Sequence, residues 1–149
     1  MSYAYVNARN AREFADTILG ITDGNKDKND SYEMYLSVKK SSDKTDADTK
    51  FHAFDAVYDP MYTWYNDNIA GKKDVSDALI EEALNRSYDV LIKEREMLHA
   101  LASVLENSVT ATTFPESMLA ELKEKNATFL SFIESSLLSE NGGGIKGSL

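Results

Sequence analysis

Apolar residues recur in pairs every seven positions through the second half of the chain. They are Ala83 and Leu84, Val90 and Leu91, Met97 and Leu98, Val104 and Leu105, with Ile80 and Leu101 completing the seam. A repeat close to the helical period keeps one face apolar. The pattern therefore predicts a long amphipathic helix over 75–107, and neither Gly nor Pro occurs between Gly71 and Pro115 to interrupt it. Thr113-Phe114-Pro115-Glu116 next places a capping Thr, a first-turn Pro and a Glu three residues after the cap. A second helix is expected from there, with Leu119, Leu122, Phe129, Leu130, Ile133 and Leu137 on its inner face and Gly142 ending it. Two such helices joined by a short polar link read as an antiparallel hairpin over 75–140.

Length makes this hairpin informative. A helix of about 32 residues spans roughly 48 Å, whereas a compact domain of this size is roughly 38 Å across. Either the rod breaks near Asn85-Arg86-Ser87, or part of the hairpin runs past its own core.

The first half is punctuated more densely. Ala11, Phe14, Ala15, Ile18 and Leu19 form a helical stripe within 7–19, Asn10 and Glu13 have capping-box spacing, and Gly20 closes the segment. The polar run 23–30 reads as a surface loop that buries nothing, and 41–49 as another. Over 31–40, Tyr32, Met34, Leu36 and Val38 alternate as in a strand. Tyr32, Tyr35 and Leu36 also fit a helical turn, and helix is preferred because a lone strand needs a partner. Phe51, Phe54, Tyr58 and Met61 return to helical spacing, with Pro60 expected to end or kink that helix before 61–70 resumes.

The fold class expected is all-α: one helical domain over 1–141, built on the hairpin, with an aromatic-rich part over 1–70 made of shorter helices. The alternative is α+β, with a strand hairpin inside 31–58. The Gly-rich tail 142–149 is expected to be flexible.

Composition narrows the functions. With 149 residues, 42% apolar and 28% charged, the chain is an ordinary soluble domain. Its formal charge of −9 argues against direct nucleic-acid binding, which needs a cationic surface. Without Cys there are no disulfides, no thiol catalysis and no usual structural zinc site. The start lacks a secretory signal and no run is long enough for a membrane span, so a cytoplasmic location is the default, with signal-independent export left open.

Catalytic inventory is thin. No Gly-x-Ser-x-Gly elbow or phosphate-binding glycine loop occurs, and His52 and His99 read as ordinary helix residues. Asp23, Asn25 and Asp27 match the first ligand positions of a calcium loop, but Lys28 stands where the loop needs Gly and Met34 where it needs Glu. Glu96 and His99 have the spacing of half a di-metal site, and no second half exists, because Thr49 stands three residues before His52. No enzyme activity, cofactor or metal is expected. Asn126 interrupts the apolar stripe of the last helix, where a buried amide fixes register.

Two asymmetries remain. Eleven of the fifteen aromatics lie in the first 65 residues, with Tyr58, Tyr62, Trp64 and Tyr65 clustered around Pro60; Tyr and Trp are enriched at interfaces. The negative charge sits in 51–149, where eight basic groups face sixteen acidic ones. The expected function is a non-enzymatic interaction or assembly protein, a subunit of a homo-oligomeric or viral structure being one form of it. It would bind a protein partner or itself through Tyr58, Tyr62, Trp64, Tyr65, Glu81 and Glu82. The alternatives are an acidic nucleic-acid mimic acting through Glu81, Glu82, Glu94 and Glu96, and, less favoured, a metal-dependent helical-bundle enzyme.

Overall fold

The computed structural model describes the backbone of residues 2–141 and the side chains of 5–138, so the expectation for the tail lies outside the described residues. The chain is all-α, 73% helical with four helices and no strands among the described residues. In order these are α1 (Ser2–Leu19), α2 (Ser42–Asn68), α3 (Asp77–Glu106) and α4 (Glu116–Asn141), with a 3-10 turn at Glu33–Tyr35 between the first two. Ala111 and Phe114 form an isolated bridge, and the strands of the α+β alternative are not found within 31–58.

Helix α3 is the centre of the bundle, packed against α2, α4 and α1. Its 30 residues form a continuous rod of about 45 Å, with no break at Asn85-Arg86-Ser87. Ser76 caps it, the side-chain oxygen accepting from the Leu79 amide at 3.2 Å. Met97, Leu98, Leu101, Val104 and Leu105 are fully buried along it, as the seven-residue repeat requires. Its most extensive partner is α2 rather than α4. The Arg86 guanidinium lies 4.7 Å over the Trp64 ring near one end, and Asn107 donates to Asp43 at 2.6 Å near the other. These two contacts align α2 and α3 antiparallel over nearly their whole length.

That α2 reaches so far corrects two expectations. Pro60 lies inside the helix and does not end it. A Pro leaves the carbonyl four residues earlier without its amide partner; here that residue, Ala56, and Pro60 itself are exposed, so water can satisfy the carbonyl. Phe54, Tyr58 and Met61 meanwhile bury the opposite face on both sides of the Pro. The polar run 41–49 is mostly the start of α2 rather than a loop, because one buried residue per turn suffices: Ala47, then Phe51. Asp46 faces water, Lys44 and Asp48 pair at 3.6 Å one turn apart, and Asp43 is largely covered where it accepts from Asn107.

Helix α1 begins earlier than the stripe suggested, which places Asn10 and Glu13 inside it. Residues 31–40 form the 3-10 turn and a series of turns, not a helix. Tyr32 and Leu36 are buried there, Met34 and Val38 exposed, and Tyr32 stacks on Phe114 at 4.9 Å. The loop 23–30 does bury side chains: Asn25 and Asn29 are enclosed. Asn29 donates to the Ile18 carbonyl at 2.8 Å, capping the end of α1. Gly20, at φ +65°, makes this possible, since a Cβ there would stand 2.9 Å from the Asn29 amide oxygen. Asn126 is buried in α4 and donates to the Leu98 carbonyl at 3.0 Å, a specific cross-helix contact that fits a register role.

Candidate docking surface

The hydroxyl of Tyr58 donates to that of Tyr5 at 3.0 Å, and the Tyr5 ring stacks on Tyr58 and Tyr62 at 5.3 and 4.9 Å. About two helical turns further along α1, Arg12 holds Asp55 at 2.6 Å with its guanidinium over Phe51 and Tyr58. Together these contacts lay α1 antiparallel to α2, so its first turn stands level with Tyr58 and Tyr62 in the second half of α2. Beyond that level the pair continues without α1, over 63–84. The apolar seam continues with it. Ile80 is 41% exposed, and Tyr65, Ile69 and Leu84 are only half-buried, although the same stripe is sealed farther along α3.

The six residues expected to form the docking surface are therefore separated by the fold. Tyr58 is buried and its hydroxyl is engaged, so it leaves the set; burial pushes its phenol far above the usual range, and the bond to Tyr5 adds to this. Tyr62 is exposed on one side of its ring. Tyr65, three positions on, shares that helix face, whereas Trp64 lies on the flank beneath Arg86. Glu81 and Glu82 are exposed, and Glu82 pairs with Arg86 at 2.9 Å. Glu94, a member of the proposed phosphate-mimicking track, is completely buried. The track loses it.

Tyr88 and Leu138, at 44% and 72% exposure, add apolar surface that the sequence reading did not single out. With Ile92, Arg95, Glu134 and Leu137 they line a groove of about 180 Å³ between α3 and α4. Glu134 lies on its rim, 3.8 Å from Arg95 and 3.5 Å from His99. The signal was present as a ridge at four-residue spacing, Ile80, Leu84, Tyr88 and Ile92, partly hidden by the stronger paired repeat. Around the free end of the α2–α3 pair, Asp67, Asp74, Asp77, Glu81, Glu82 and Asp89 are all exposed. Lys72, Lys73 and Arg86 are the basic residues over the same stretch, which leaves an acidic fringe.

The candidate metal ligands are directed elsewhere. Glu96 pairs with Lys93 at 3.6 Å while His99 turns to Glu134. Asn25 donates to the Asp16 carboxylate at 2.7 Å, so it serves the loop. Among the described residues no group of three or more His, Asp or Glu side chains is placed to hold a metal ion, and no helix is long and apolar enough to cross a membrane. Compared with protein-family models, curated proteins and solved structures, the chain matches none of them.

Proposed function

We propose that this protein is a non-enzymatic docking module that binds another protein through the free end of its α2–α3 hairpin. The observation that supports it is the continuation of the apolar seam past α1, which leaves Ile80 exposed and Leu84 only half-buried. Contiguous apolar surface with aromatic members and a polar fringe is the usual anatomy of a protein interface. Tyr62, Tyr65 and Tyr88 supply the aromatics. The acidic fringe selects a partner whose contact face is apolar at the centre and basic at the rim.

The test begins with capture of partners from the native source, followed by titration of each purified partner against defined variants. Ile80→Ser combined with Tyr88→Ser should weaken binding at least tenfold, whereas Tyr58→Phe, inside the bundle, should change it less than twofold. Raised salt should slow association because the rim is charged. Equal binding by the double variant and the parent chain would overturn the proposal. So would a partner footprint, mapped by amide exchange, confined to the opposite end of the bundle.

A further inference from the structure

Two carboxylates are buried among the described residues, Asp16, which accepts four hydrogen bonds, and Glu94. Glu94 is fully enclosed, and neither of its carboxyl oxygens has a hydrogen-bond partner. Its direction follows from its neighbours on α3. Arg95 and His99 lean toward Glu134 of α4 on one flank, while Arg86 and Asn107 reach Trp64 and Asp43 of α2 on the other. Glu94 lies between these flanks, on the face that α1 crosses. The α1 register, set by Tyr5 against Tyr58 and by Arg12 against Asp55, brings Ala8 and Ala11 to about the level of Glu94. Both alanines are buried, and a methyl group neither donates nor accepts.

The charged and titratable groups nearby are committed elsewhere. On α1, Arg12 is bound to Asp55 and Arg9 is exposed. On α2, Asp55 holds Arg12, the Tyr58 hydroxyl meets Tyr5, and Asp59 is exposed. On α4, Glu134 faces Arg95 and His99, and on α3 Lys93 pairs with Glu96. Burial alone raises the Glu94 carboxyl to about 8.

We propose that α1 is a releasable strap, closed over α3 while Glu94 is protonated and lifted when the carboxylate forms. A neutral carboxyl without partners is tolerable in an apolar site, but a carboxylate is not. The cheapest way to hydrate it is to move the segment beside it with the least to lose. α2 and α4 bury Phe51, Phe54, Met61, Ile133 and Leu137, whereas α1 brings only Ala8, Ala11 and Ala15 to the stretch around Glu94 and keeps its larger buried chains, Ile18 and Leu19, at its far end. Arg12 with Asp55, and Tyr5 with Tyr58 and Tyr62, hold α1 from its edge. They can part without disturbing the α2–α3 pair.

Lifting α1 releases a proton from Glu94 to water when the pH lies between its open value, near 4.5, and its closed value, about 8. The open population then rises up to about tenfold per pH unit in that window and levels off above it. Amide-exchange protection factors of the intact protein test this at pH 5.5 and 7.5. The expected result is a fall of roughly a hundredfold across α1, while the amides of 98–105 in α3 change less than threefold. In Glu94→Gln, and independently in Glu94→Met, the α1 fall should disappear. A parallel fall in α1 and α3 would show global loosening and overturn the strap. An undiminished fall in the two variants would remove Glu94 from the account, and the wild-type profile alone decides whether α1 moves first.

Discussion

The two ends of the bundle are built on opposite terms. At the end where α1 and α3 finish, polar side chains go inside and most find a partner, the Ser37 hydroxyl being an exception. Asp16 accepts from the Ile21 and Thr22 amides, the Thr22 hydroxyl and the Asn25 amide. Ser37, in the left-handed region at φ +46°, donates its amide to the buried Ser108 hydroxyl at 3.1 Å. Val109 donates to the Tyr35 carbonyl at 3.0 Å, tying the loop to the α3–α4 link. Phe114 closes this end, fully buried against Tyr32. At the other end the connection between α2 and α3 is exposed or half-buried throughout, and apolar rings and branched chains are left partly in water. A bundle end seals when its loops carry groups that satisfy one another; where loops do not fold back, the seam stays open.

Substitutions at three positions sharpen this contrast. The largest effect belongs to Phe114→Ala, which empties a sealed site and should cost about 4 kcal/mol in chemical denaturation. Asp16→Ala follows at about 3 kcal/mol, since it orphans donors around a buried carboxylate. This second case carries a pH signature. Burial by itself would raise the Asp16 carboxyl, but the bonds from Thr22, Asn25 and Ile21 outweigh it and hold the group below its usual value. A carboxyl lowered on folding stabilises above its unfolded pKa, and that contribution is lost as pH falls through the folded one. The acid limb of wild-type stability should therefore be steeper than that of Asp16→Asn below about pH 4. The smallest effect is Ile80→Ala at the open end, below about 1 kcal/mol by the area it still exposes. If it cost as much as Phe114→Ala, the open end would be a closed one.

Much of the helical plan was legible because it is local. The paired repeat from Ala83 to Leu105 reports a helix face wherever the rest of the chain lies, and Gly20 ends α1 where its spacing said. Several of the failures concern residues whose role depends on a distant neighbour. Pro60 reads as a break until the packing of Phe54 and Met61 on α3 holds the helix through it. Asn25 and Asn29 read as solvated until α1 presents Asp16 and the Ile18 carbonyl to them. In the candidate surface, Tyr58 and Tyr62 are equivalent in the sequence, yet Tyr58 is sealed beneath α1 and Tyr62 remains exposed. Glu94 is one carboxylate among many on an acidic helix until three helices enclose it.

The sequence by itself determined that the chain is helical, with an apolar seam on α3 longer than a compact globule covers, because periodicity and propensity act within a few turns. Only the tertiary structure decided where that seam is covered. α1 pairs with the α2–α3 hairpin as far as Tyr62 and not with its free end, and the offset is set by Arg12 on Asp55 and Tyr5 on Tyr58, side chains more than forty residues apart. Burial is a property of a residue and its cover together. For Ile80, Tyr58 and Glu94 the cover, or its absence, comes from elsewhere in the chain.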